Sequence, residues 1–216
     1  MIELIAVMGV ISLMAGLTVP AVKGLSGSNN LNTGARKFAD LLSLARSEAI
    51  ARHAVVRFVV AKEWESKADA SLRNVSLWVW NAEVERYFQL SPWQEMPVGV
   101  TLEQASPAYL HKATYAREDR AAVRGECVFT SAFKESAEFN AGTEEEPIRS
   151  RFIEFLPSGT MRIPGGTSRQ AIFVATQGYS NHDGTLTYTT RGENGPANWA
   201  QVNVDTLTGR VHVYRP

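Results

Sequence analysis

The chain has 216 residues, 44% of them hydrophobic, which suffices for one core, or a core plus an anchoring segment, and not for two large domains. Lys plus Arg and Asp plus Glu each total 22, so the formal charge is zero and nothing in the balance calls for nucleic acid or an anionic membrane surface. The single cysteine, Cys127, excludes an internal disulfide and a zinc site built of cysteines.

From Leu4 to Val22 the chain runs 19 residues without a charge. As a helix rising about 1.5 Å per residue this run is roughly 28 Å long, close to the ~30 Å of a bilayer core, and it is predicted to span. A core helix apolar on every side needs a larger protein around it, and a cleaved secretory signal needs Lys or Arg where Glu3 stands. Lys23, Arg36 and Lys37 follow the run, which on charge bias alone puts the remaining chain in the cytoplasm; a basic leader ahead of Met1 reverses that orientation.

Met1-Ile-Glu-Leu-Ile-Ala-Val-Met-Gly-Val-Ile11, with Pro20 17 positions after Glu3, resembles the N-terminal methylation motif of type IV pilins and type II secretion pseudopilins. In that family a basic leader ends in Gly, a prepilin peptidase cuts after it, and the mature chain begins with a methylated Phe. Leader, Gly, Phe and the residue after it are missing here, so Met1 is expected to be an internal methionine of a Gly-Phe-(Ser/Thr)-Met-Ile-Glu-Leu stretch. The resemblance implies that Glu3 pairs with the N-terminal amine of a neighbouring subunit. An unpaired acid in hydrocarbon costs about 2.5–3.5 kcal/mol at a helix centre and less near its end, so docking beside a neighbour relieves a penalty. Gly9 and Gly16 allow close helix approach. Pro20, without an amide donor, is expected to kink or interrupt the helix, and Ser26-Gly-Ser-Asn-Asn30 to form a joint.

Leu31, Ala35, Phe38, Leu42, Ala45 and Ala49 recur at spacings of four and three, predicting a helix with one buried stripe, packed on its own domain. After His53 come Val55, Val56, Phe58, Val59 and Val60, types that favour strands. Ala45-Arg-Ser-Glu-Ala-Ile-Ala-Arg-His-Ala-Val-Val-Arg-Phe-Val59 resembles the helix end and first strand of the H-type minor pseudopilins, the GspH/FimT group. Phe155-Leu-Pro-Ser-Gly-Thr160 and the closing Thr-Gly-Arg-Val-His-Val-Tyr214 are similar to the same group.

Strands are predicted at 75–80, 84–90, 98–102, 151–156, 171–175 and 185–190, with a hairpin over Gln201–Tyr214, where Val202, Val204 and then Val211, Val213 alternate around a Gly-containing turn and bury one face. Between Glu103 and Arg149 the pattern fades into an insertion, with a helix expected near 109–123 and an acidic run at Glu144-Glu-Glu146. The predicted organisation is a transmembrane or filament-core helix over 1–25, an amphipathic helix over 26–53, and a β-rich head over 54–216. The expected fold class is α+β: a pilin-like long helix packed on a mostly antiparallel, sandwich-like head.

His53, His111, His182 and His212 lie far apart in sequence, and no metalloprotease, nucleophile-elbow or phosphate-loop motif occurs, so no catalysis, cofactor or metal is expected. Asn181-His-Asp-Gly184 reads as a turn. Arg36, Arg46, Arg52 and Arg57 read as solvated or snorkelling side chains. Trp64, Trp78, Trp80, Trp93 and Trp199 read as core and sheet-face packing.

The resemblance implies a non-enzymatic minor pseudopilin of a type II secretion or type IV pilus-like machine, anchored in a bacterial inner membrane with a periplasmic head and contributing to protein export. Its partners are other pilin-like subunits, the inner-membrane assembly platform and, if an upstream leader exists, the prepilin peptidase. Two alternatives stand beside it. One is a DNA-binding minor pilin using Arg210, His212 and Arg215, although nucleic acid is not the expected partner. The other is a membrane-tethered ligand-binding module or hydrolase.

Overall fold

A computed structural model describes residues 2–64, 72–102, 126–127, 139–143, 147–163, 170–181, 186–189, 191–192, 195–196 and 198–215; within these, the side chains of 2–6, 9–10, 13, 15–28, 63, 126–127, 170, 180, 191–192 and 195 are outside the description. Helix α1 covers Ile2–Arg52. The described strands are β1 Val56–Trp64, β2 Asn74–Asn81, β3 Arg86–Gln89, β4 Gln94–Glu95, β5 Val100–Leu102, β6 Glu126–Cys127, β7 Phe139–Asn140 and β8 Ile148–Phe155. They continue with β9 Met161–Arg162, β10 Gln170–Ser180, β11 Leu186–Tyr188, β12 Arg191–Gly192, β13 Gly195–Pro196, β14 Trp199–Asp205 and β15 Val211–Tyr214.

The first sheet runs β3-β2-β1-β8-β7, with β4 on β2 and β9 on β8. The second runs β11-β10-β14-β15, with β5 and β6 on β10, and β12 pairs β13 apart from both. Every pairing among these is antiparallel except β6 on β10. Among the described residues, one helix on mostly antiparallel sheets is the α+β class the sequence predicts.

The helix stripe docks on both sheets. Leu31, Ala35, Phe38, Leu42, Ala45 and Ala49 are all buried, in one core with Phe58 of β1, Leu77 of β2, Phe155 of β8, Phe173 of β10 and Val202 and Val204 of β14. Phe38 stands between the sheets: its ring centroid lies 5.0 Å from that of Phe58 and 4.9 Å from that of Phe173, both edge-on. Edge-to-face rings at this range add about 0.5–1.5 kcal/mol beyond burial. Polar ties follow the same face, with Asn30 Nδ2 donating to the Val98 carbonyl at 3.2 Å and Lys37 Nζ to the Glu95 carbonyl at 2.8 Å. The helix ends where His53 turns to φ 50°, and the Ala54 amide closes back on the Ala49 carbonyl at 3.3 Å.

Several expectations are corrected in detail. Helix α1 is continuous through Pro20 and through Ser26–Asn30. Proline removes one donor and weak helix formers cost tenths of a kcal/mol each, and neither ends a helix whose following turns are held by a core. Strand β3 starts at Arg86 and not at Val84, because Asn81 Oδ1 accepts from the amides of Glu83 and Val84, at 2.8 and 3.4 Å, and Glu85 sits at φ 48°. Val98 belongs to a turn with Gly99 and is exposed. The terminal hairpin is present, with Val202 pairing Val213 and Val204 pairing Val211, but Val213 is exposed and not on a buried face: β15 is an edge strand whose far end outruns the core. Within 103–149, strands β6 and β7 are described and β8 already begins at Ile148; the helix expected near 109–123, the acidic run and His182–Gly184 lie outside the described residues.

Truncating Phe38 removes the ring common to both sheets. Phe38→Ala is expected to cost about 4 kcal/mol of unfolding free energy, read as a lowered urea midpoint of the detergent-solubilised chain.

Candidate assembly helix and head surface

Burial divides α1. The described side chains of its first half, Val7, Met8, Ile11 and Met14, are all more than half exposed, whereas the stripe from Leu31 to Ala49 is buried. The first half thus presents apolar side chains largely exposed at those positions. Glu3, Gly9, Gly16 and Pro20 fall on this half of α1, and their side chains lie outside the described residues. Among the described residues no helix is long and apolar enough to cross a membrane, and most side chains of the span expected over residues 4–22 lie outside the description.

Arg46 is not the solvated side chain that its sequence context suggests. Its Nε–H is shared between the Gly159 carbonyl at 3.2 Å and the Thr208 carbonyl at 2.9 Å. One guanidinium therefore ties the helix to the turn after β8 and to the turn between β14 and β15. Both turns need glycine at the contact. Gly159 has φ 79°, and a Cβ there meets Ile50 Cδ1 at 2.8 Å; Gly209 has φ 65°, and a Cβ there collides with the Gly159 carbonyl. Asp205 shapes the second turn, its Oδ1 accepting from the amides of Leu207 and Thr208 at 2.9 and 2.8 Å. The Met161 amide donates to the Thr206 carbonyl at 2.8 Å and joins the two turns directly. Three stretches that resemble the H-type group, around Arg46, Gly159 and Gly209, meet at this point.

Arg57 departs from expectation in the same way. On the face of the first sheet opposite α1, its Nε–H donates to Glu154 Oε1 at 3.0 Å. Its guanidinium carbon lies 3.6 Å from the Tyr87 ring centroid and 4.0 Å from that of Phe152. The pairing Arg57↔Glu154 in the β1–β8 register brings them together. Tyr87 Oη also donates to Glu154 Oε1 at 3.2 Å, and Arg162 Nε to Oε2 at 2.9 Å, with a second bond from Arg162 Nη2 to Oε2. Burial pushes the Glu154 carboxyl up, but the hydrogen bonds and charges of Arg162 and Arg57 outweigh it and hold the group below its ordinary value. Burial first, then the Glu154 charge, push the Tyr87 hydroxyl up to about 12. Around this ion cluster Val59, Ala61, Ile148 and Phe152 form a second small core, against which Trp64, Trp78, Trp93 and Phe139 pack. Those tryptophans occupy the sheet face, as expected.

Arg52 makes the surface pair that the helix register allows, donating to Glu48 Oε2 at 2.7 Å one turn away. Arg36 is exposed. Arg210, His212 and Arg215 are exposed at the β14–β15 end of the second sheet. His53 closes the helix and His212 lies on β15, so the two described histidines share no site; His111 lies outside the described residues.

Because the folded-state pKa of Glu154 is depressed, its contribution is fully present above the ordinary carboxylate range and is lost as pH falls through the lowered value. Glu154→Gln leaves partly buried Arg57 without its counter-ion, whereas Arg162 is mostly exposed and loses little. The variant is expected to lose about 2–3 kcal/mol at pH 7. In urea titrations its deficit relative to the parent chain shrinks as pH falls below the ordinary carboxylate range, and an unchanged deficit contradicts the assignment. Gly209→Ala is expected to lower Tm by about 5 °C or more, from the left-handed backbone and the contact with the Gly159 carbonyl together.

No protein-family model matches the chain. No curated protein matches it. Among solved structures it is similar to two of the minor pseudopilin EpsH from the type 2 secretion system of Vibrio cholerae. The first is 12% identical with a TM-score of 0.42, covering 87% of this chain and 96% of that one. The second is 13% identical with a TM-score of 0.42, covering 88% and 96%.

Proposed function

We infer that the chain is a membrane-anchored, non-enzymatic filament subunit, a minor pseudopilin of H type whose work is mechanical. One observation carries the reading: helix α1 passes without a break from a buried half into a half whose described apolar side chains, Val7, Met8, Ile11 and Met14, are more than half exposed. Apolar side chains on a projecting helix gain free energy by entering lipid or by packing on other helices, roughly 1.5–3 kcal/mol for each large side chain buried. The resemblance of Met1–Ile11 and Pro20 to the methylation motif supplies the kind of neighbour, a pilin-like subunit with the same rod. Glu3 then selects a partner carrying a cation, and Gly9 and Gly16 allow the rods to approach.

On this reading the first half of α1 resides in the bacterial inner membrane and the head lies in the periplasm. Subunits leave the bilayer through the assembly platform, after a prepilin peptidase has removed a leader, and the filament contributes to protein export. Arg46 and the Phe38 wedge hold rod and head together, so that displacement of one displaces the other.

The test uses the full chain in cells that assemble the filament. Glu3→Gln removes the charge and keeps the shape. It is expected to leave the protein in the membrane fraction and to reduce its recovery in sheared filaments about ten-fold, the ratio that 1.4 kcal/mol of lost pairing gives. Recovery equal to that of the parent chain, or release of the parent chain as a water-soluble monomer without detergent, overturns the reading.

A further inference from the structure

We propose that the outer face of the first sheet carries a docking site for an acidic side chain of another protein, held by the terminal nitrogens of Arg57. The guanidinium is already fixed in place. Its Nε–H is taken by Glu154 at 3.0 Å, and its plane is clamped by the rings of Tyr87 and Phe152, 3.6 and 4.0 Å from the guanidinium carbon, with Phe139 at 5.1 Å. Glu154 has no oxygen to spare: Oε1 accepts from Arg57 and Tyr87, and Oε2 from Arg162 twice. The two terminal nitrogens of Arg57 make no bond among the described residues. They are also not among the enclosed, unpaired atoms, which include Trp78 Nε1, and the Arg57 side chain keeps 19% of its surface. With the side chain partly exposed and its Nε–H bonded, they form a fixed pair of donors.

The occupant follows from charge and geometry. Arg57 and Arg162 against Glu154 leave one positive charge in excess at the cluster, so the missing partner is an anion. A fixed guanidinium fork matches a planar carboxylate with two parallel bonds, and little is lost in ordering it. The surroundings point to a protein source. Trp80 and Tyr87, half-buried with ring centroids 4.9 Å apart, stand beside the cluster on neighbouring strands. An arginine flanked by tryptophan and tyrosine is the composition of interface positions that carry most of a binding energy. The site is remote from the projecting half of α1, so it does not depend on the filament reading.

The test is a titration of the full-length chain in detergent at pH 7, following the Arg57 side-chain nitrogen and proton resonances. The probes are a triglutamate peptide blocked at both ends, the matching triglutamine peptide, and acetate at equal ionic strength. Saturable shifts are expected with triglutamate and none with triglutamine, with acetate at least five-fold weaker. Arg57→Lys, which keeps the charge and loses the fork, weakens triglutamate binding five-fold or more, and Trp80→Ala at the rim weakens it without altering the fold of the cluster. Absence of a shift with triglutamate, an equal shift with triglutamine, or acetate binding as tightly as the peptide overturns the proposal. The parent-chain titration decides the matter even where a variant fails to fold.

Discussion

The structure depends on one ring. Phe38 projects from the helix into the gap between two sheets and touches Phe58 of the first and Phe173 of the second, at 5.0 and 4.9 Å between centroids, whereas those two rings are 6.3 Å from each other. The sheets thus share a core chiefly because the helix fills it. Most of the free energy of a docked helix comes from its buried face and not from its own propensity. Here that face extends from Leu31 to Ala49, with small residues at 35, 45 and 49 that let the backbone lie close to the strands.

A consequence follows for any force or displacement applied to the first half of α1. The rod has no flexible joint before the head, since the helix is continuous across Ser26–Asn30, and from Asn30 onward it is tied at intervals. Asn30 holds the Val98 carbonyl, Lys37 the Glu95 carbonyl, and Arg46 the carbonyls of Gly159 and Thr208. The first two ties reach the β4–β5 region and the third reaches one turn from each sheet. Gly34 adds a close passage, with Val100 Cγ1 3.0 Å from where its Cβ would lie. A helix held from Asn30 to Arg46 by ties to β4 and to turns of both sheets moves with the head and not against it.

How much of this was legible in the sequence divides along the range of the interactions. The buried stripe, the passage from helix to strand after His53, most strands and the terminal hairpin were legible, because periodicity and turn chemistry are local. Arg46 and Arg57 were misread because their partners are remote. Arg57 bonds a carboxylate 97 positions away, and Arg46 bonds carbonyls 113 and 162 positions away. No spacing rule links such pairs. A signal did exist in the glycines: Gly159 and Gly209 each follow a turn-forming Ser or Thr, and both reach a left-handed φ against the same arginine. The early start assigned to β3 and the wrongly included Val98 are boundary errors of another kind, where side chains that favour strands sit in turns set by Asn81 and Gly99.

The first sheet uses its two faces differently, and alternation along its strands makes that possible. In β1, Val56, Phe58 and Val60 point to the helix while Arg57, Val59 and Ala61 point away; in β8, Ile153 and Phe155 point in while Phe152 and Glu154 point out. A sheet covered on one face only would place polar groups on the other and leave them hydrated. This one places an ion cluster there, surrounds it with Tyr87, Phe139 and Phe152, and so lowers the local dielectric enough that the charges hold their geometry. Phe139 arrives on β7, whose pairing with β8 is the point where the long excursion after β5 rejoins the first sheet. The excursion leaves from β5 on the second sheet, touches it again at β6 and ends on the first, so its return strand completes the aromatic wall around Arg57. Order in that wall is therefore coupled to the pairing of β7 with β8, and the guanidinium is presented as a fixed fork only where that pairing is made.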